Sequence, residues 1–155
     1  MTYFFSVRGW LELSWPDADV EGVDESREEH EAKAQRVRAL LKTDLSPKKL
    51  LDPEVPARER YRAGWGFPQH DLDGSEYVFF GADVTDADLI LEQIREVLRI
   101  DPFADGYFSV EGEDGEQYRQ WLIKSGTIYS RRYLFPDFDA KGTPLGYLPL
   151  SQAPS

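Results

Sequence analysis

The sequence predicts an α+β domain: an antiparallel sheet of five to six strands with two main helices on one face. Three observations carry this. From Asp105 to Arg132, three runs rich in aromatic and β-branched residues are separated by the turn signals Glu113-Asp114-Gly115 and Ser125-Gly126. Earlier in the chain, two segments each show one apolar stripe at helical spacing. Two further segments, at 3–13 and 76–81, alternate as strands do.

The first strand spans Tyr3 to Leu13. Phe5, Val7, Gly9, Leu11 and Leu13 share one face; Phe4, Ser6, Arg8, Trp10 and Glu12 share the other. Gly9 inside a strand signals a bulge or a close-packed neighbour. Trp15-Pro16 ends the strand, and an acidic run follows through Asp17, Asp19, Glu21, Asp24, Glu25, Glu28, Glu29 and Glu31. Ser26-Arg27-Glu28-Glu29 fits a capping box that opens a helix to about Thr43. Its stripe is Ala34, Val37, Leu41 and Leu45, widened by Leu40. Acids near its start and Arg36, Arg38 and Lys42 near its end suit the helix macrodipole.

Ser46-Pro47 caps a short helical turn. Pro53, Pro56 and Pro68 then break regularity, with a possible strand over 61–67 weakened by Gly64 and Gly66. The connection from Leu51 to Gly74 is long for a compact domain, and such connections are usually functional or mobile. Glu76–Gly81 (EYVFFG) is a strand. Thr85-Asp86-Ala87-Asp88 opens the second helix, Asp86–Arg99, with Ala87, Ile90, Ile94, Val97 and Leu98 as its stripe and Asp101-Pro102 as its stop. Strands over Tyr107–Glu111, Gln117–Lys124 and Thr127–Tyr133 follow, the last turn requiring either positive φ at Ser125 or a slightly longer loop.

Residues 1–135 thus read as one α+β domain. Residues 136–155 read as a Pro-rich tail, carrying Leu145, Tyr147, Leu148 and Leu150, that packs partly on the body. Both helices have a single stripe, so both should cover the same sheet face. The first four strands and two helices follow the split βαβ order of a ferredoxin-like fold, and the last two strands extend it, making a ferredoxin-like variant.

The chain has 155 residues, no cysteine and 14% aromatic residues. Disulfides and thiolate metal sites are excluded, and the aromatic content opposes disorder despite a mean hydropathy of -0.55. There is no run long and apolar enough for a membrane span and no basic, apolar leader, so the expected location is the cytoplasm. The formal net charge of -11 disfavours nucleic acid and favours a basic partner.

No catalytic signature stands out. His30 and His70 lack a triad pattern, and a solvated histidine is the reading of each. Asp71, Asp73 and Ser75 begin like a calcium loop, but Glu76 stands where that loop needs glycine and Ala82 where it needs its closing Glu. No metal or cofactor is expected. Glu111, Glu113, Asp114 and Glu116 crowd one hairpin tip, an exposed place poorly suited to raising a carboxylate pKa. They read as a solvated acidic tip or as contacts for a basic partner. The strand face turned away from the helices combines Tyr, Trp and Arg, the composition of binding hot spots. Arg8, Trp10, Tyr107 and Trp121 are the candidate residues there, and the Pro-rich tail is the competing cover for this face.

The order of features also resembles immunity proteins of bacterial polymorphic-toxin systems, specifically immunity protein family seven. The resemblance rests on the strand ending Gly9-Trp10 before an acidic helical segment, the apolar strand closing at Gly81, and Gly106-Tyr107. It extends through the acidic hairpin at Glu113-Asp114 and Gly126 opening the last strand. It implies neutralisation of a cognate toxin by tight binding without catalysis, and the acidic balance suits a basic nuclease domain as that toxin. The competing expectation is a small enzyme or ligand sensor with an anion site in the 51–74 connection, built from Arg58, Arg60, Arg62, Trp65 and His70.

Overall fold

A computed structural model describes residues 2–14, 27–68, 76–115, 117–132 and 139–146. Six strands form one antiparallel sheet: β1 (Phe5–Leu13), β2 (Trp65–Gly66), β3 (Glu76–Val84), β4 (Asp105–Gly112), β5 (Tyr118–Lys124) and β6 (Thr127–Arg132), in the order β2-β3-β1-β4-β5-β6. Among the described residues four α-helices accompany it: α1 (Arg27–Leu41), α2 (Pro47–Leu50), α3 (Ala57–Tyr61) and α4 (Ala87–Ile100). β1 lies between β3 and β4 and is antiparallel to both. The first four strands therefore have the ferredoxin-like order, and β5 and β6 widen the sheet beyond β4.

The alternation along each strand decides which face is covered. Val7, Leu11, Leu13, Val78, Phe80, Val84, Phe108, Val110, Trp121 and Ile123 are buried. They share one face and form a single cluster with Ala34, Val37 and Leu41 of α1 and Ile90, Ile94 and Val97 of α4. Both long helices thus lie on one side, as two single-stripe helices require. Gly9 sits between Phe80 and Phe108, its partners on the flanking strands. A Cβ at Gly9 would fall 2.2 Å from the Tyr107 carbonyl oxygen and 2.4 Å from Phe108 Cδ1. The missing side chain makes room for the Phe108 ring, and Trp65 meets Phe80 and Phe108 edge-on, with centroids 5.1 Å and 6.1 Å away.

The 51–74 connection differs from expectation. Instead of a strand over 61–67, the chain forms α3, a 3-10 turn at Arg62–Gly64 and only two strand residues. Tyr61 is drawn out of an extended path because its hydroxyl accepts from the backbone N–H groups of Thr85 (2.9 Å) and Asp86 (3.3 Å). The α4 cap shifts too: Asp86, not Thr85, accepts from the Asp88 N–H at 3.1 Å. Ser46 caps α2 as read, accepting from Lys49 N, with Pro47 in the first turn.

His30 corrects another expectation. It is 1% exposed rather than solvated, because it lies on the buried line of α1 with Ala34, Val37 and Leu41. Ser125 does adopt positive φ (47°), followed by Gly126 (77°), which closes the β5–β6 turn. The expected cap at Ser26, the acids at 17–25, His70, the loop at 71–75, Glu116 and most of the tail lie outside the described residues. The described part of the tail, 139–146, contains a turn closed by Asp139 N–H to the Thr143 carbonyl.

Candidate functional site: the outer sheet face

The face opposite the helices is organised in rows across the strands. Cross-strand partners place Phe79, Trp10, Tyr107, Leu122 and Tyr129 in one continuous line from β3 to β6. Phe79 is 45% exposed, Leu122 50% and Tyr129 56%, while Trp10 and Tyr107 are half-buried. Tyr77 supports one end of the line. Its ring stacks on Phe79 (centroids 6.0 Å) and meets Trp10 edge-on (5.9 Å), and its hydroxyl donates to Glu12 at 2.8 Å. That bond, with desolvation and the Glu12 charge, raises the Tyr77 pKa and keeps the phenol neutral.

Polar rows flank the line. On one side Gly81, Arg8, Ser109, Gln120 and Arg131 face outward, with Arg131 Nε donating to Gln120 at 2.8 Å. On the other side are Tyr77, Glu12, Asp105 and Lys124, with Lys124 and Asp105 paired at 3.5 Å. Arg8 reaches Glu111 at 3.0 Å. The outward charges of the strands are thus four carboxylates (Glu12, Asp83, Asp105, Glu111) against three cations (Arg8, Lys124, Arg131), nearly balanced in a chain of net charge -11. The acidic excess lies elsewhere, including five acids between Asp17 and Glu25 with no Lys or Arg among them.

The expected site residues separate into three groups. Arg8, Trp10, Tyr107 and Glu111 share the outer face. Glu113 and Asp114 lie at the hairpin tip, where they grip the entry to β1: the Phe4 N–H donates to Glu113 at 3.1 Å and the Tyr3 hydroxyl to Asp114 at 2.5 Å. The Asp114 bond is the main reason the Tyr3 pKa is pushed up to about 12. Trp121 is a correction. It is 3% exposed, on the helix side, with its ring 6.3 Å from Phe108, so it is part of the core and not an outer-face anchor. The line's most exposed members, Phe79, Leu122 and Tyr129, were not among the selected residues. Trp121, Leu122 and Ile123 are three apolar residues in succession, so the inward set of β5 is decided by its partners on β4 and not by alternation.

Two other polar clusters are accounted for by packing. Asp101, buried, accepts from Ser14 N (2.6 Å), Ser14 Oγ (2.6 Å) and Phe103 N (3.2 Å), while Lys33 Nζ donates to the Ser14 carbonyl at 2.7 Å. This clamps the end of β1 to α1 and to the end of α4. In the 51–74 connection the arginines do not converge. Arg58 pairs with Glu96 and Glu92, Arg62 with Glu59, and Arg60 donates to the Val55 carbonyl. No family model, curated protein or solved structure matches this chain.

Proposed function

We propose that this chain is an immunity-type binding protein, which neutralises a cognate bacterial toxin by covering it, and that the outer sheet face makes the contact. The observation that carries the reading is the five-residue line Phe79–Trp10–Tyr107–Leu122–Tyr129, with three large apolar side chains about half exposed in register. Burying such side chains against a partner gains roughly 25 cal/mol per Å² of apolar surface, before the costs of association. Arg8 pairs with Glu111 and Lys124 with Asp105, while Glu12, Asp83 and Arg131 bond to neutral groups, so the flanking charges can form a polar rim without being desolvated alone. The acidic excess suits a basic toxin domain, whose encounter with the chain it would accelerate. This role requires no turnover and no cofactor.

Co-expression with the toxin candidate encoded next to this gene tests the reading. The wild-type chain is expected to co-purify with the toxin and protect the host. Leu122→Glu and Tyr129→Glu are expected to fold, because both side chains point to solvent, but to lose the complex. A folded Leu122→Glu, Tyr129→Glu chain that still co-purifies and protects would remove the outer face from the mechanism. An adjacent gene with no toxin activity would turn the reading toward a general interaction module. The anion-site alternative would need its arginines to face common space, whereas Arg58 and Arg62 are committed to carboxylates.

A further inference from the structure

On the helix side, α4 leaves a cleft of about 200 Å³ uncovered between its first turn and the start of β5. Phe5, Val110 and Trp121 line it with apolar surface, Asp88 stands on the α4 side, and Arg119 and Gln117 stand on the β5 side. Both charged side chains are exposed, yet no ion pair joins Asp88 to Arg119 across the cleft. Asp86, also on the α4 side, is already used as the helix cap. Arg119 is directly opposite Arg132 on β6, on the same face. Like charges placed opposite on neighbouring strands repel, and among the described residues neither guanidinium has a carboxylate partner, unlike Arg8, Arg38, Arg58 and Arg62. The cleft therefore has walls of opposite sign held apart over a small apolar floor.

We infer that this cleft binds the zwitterion of a small aliphatic α-amino acid, with the ammonium at Asp88, the carboxylate at Arg119 beside Arg132, and the side chain over Phe5. Either charge alone would meet one complementary and one repelling wall, whereas a zwitterion satisfies both. A carboxylate at Arg119 also lessens its repulsion with Arg132. The small apolar floor limits the gain from burial, so the expected affinity is modest, with a Kd on the order of 1 mM. The site is on the opposite face from the proposed toxin contact and does not depend on it.

The test is a titration of the full chain with L-valine, read by amide shifts in ¹H–¹⁵N spectra. Saturable shifts are expected at Asp86–Asp88 and at Gln117–Arg119. Isobutylamine and 3-methylbutanoate, which are valine without its carboxylate and without its amine, are expected to bind at least tenfold more weakly. Arg119→Ala and Asp88→Asn should each weaken valine binding at least tenfold, with Arg119→Lys in between. Both positions are exposed, and an unchanged Tm confirms that the variants fold. Absence of saturable shifts at concentrations well above the expected Kd would overturn the inference. So would equal binding of either single-charge analogue, shifts confined to other regions, or a partner protein occupying these amides while valine does not.

Discussion

Single side chains decide where the elements sit, and the clearest case is Gln93. It occupies a buried position on α4 between Ile90 and Ile94, where an apolar residue is normal. Its amide joins Trp65 Nε1, which donates to Oε1 at 2.9 Å, to the Arg58 carbonyl, which accepts from Nε2 at 3.0 Å. Gln93→Leu keeps the volume but leaves the buried Trp65 N–H without its acceptor and the part-buried Arg58 carbonyl without this donor, so it should lose about 1–3 kcal/mol, chiefly from the indole. Urea unfolding at unchanged m checks this. A polar residue on an apolar stripe is visible in the sequence, but its partners come from a connection whose path no periodicity indicates. Tyr3 offers a second test. Its pKa lies above the ordinary value of 10.0, at about 12, chiefly through the bond to Asp114. The neutral phenol is the bonded form, so its contribution is complete below pH 10 and is lost as pH rises toward 12. Asp114→Asn should bring the Tyr3 transition back toward 10, read by tyrosinate absorbance.

At the scale of elements, β5 separates the two faces within three consecutive residues. Trp121 and Ile123 enter the core while Leu122 faces outward. Trp121→Ala should cost about 3–5 kcal/mol of stability, since it empties space beside Phe108. Leu122→Ser should change stability within about 0.5 kcal/mol, as exposed substitutions do. Thermal or denaturant melts of the pair check the assignment, and equal losses would place Leu122 in a packed environment. Most strands, both long helices, their shared face and the tight β5–β6 turn were legible because periodicity and turn chemistry are local, whereas the type I′ geometry suggested by Asp114-Gly115 is not adopted, since only Gly115 of the pair has positive φ. Three things were not. The α3 segment lost its expected strand because Tyr61 binds the start of α4, a contact distant in sequence. The charged neighbours of His30 suggest solvation, although its spacing of four from Ala34 and seven from Val37 is the signal of burial. The outward side of β5 was hidden because apolar residues occur on both of its faces.

At the scale of the whole molecule, the proposed binding divides between charge and apolar contact, and kinetics can separate them. The outer face is nearly neutral and its charges already have partners within the face, charged or neutral, so the apolar line should govern how long a complex lasts. A true hot spot there is worth about 2 kcal/mol or more. Loss of 2 kcal/mol corresponds to roughly thirtyfold faster dissociation at 25 °C, which is the expectation for Tyr129→Ala or Phe79→Ala. The acidic excess, acting at distance, should govern encounter and its salt dependence. Glu113 and Asp114 stand at the edge of this face, so Glu113→Lys with Asp114→Lys should slow association with a basic toxin and flatten its dependence on salt. The same change also releases Tyr3 and Phe4 from the hairpin tip. Glu113→Gln with Asp114→Asn is the necessary control, because it removes charge while leaving acceptors in place. If charge steering is the cause, the amide pair should slow association by less than the lysine pair, and both should leave dissociation near wild type. If both pairs speed dissociation equally and leave association unchanged, the tip acts only by holding the entry to β1, and steering must come from other acids.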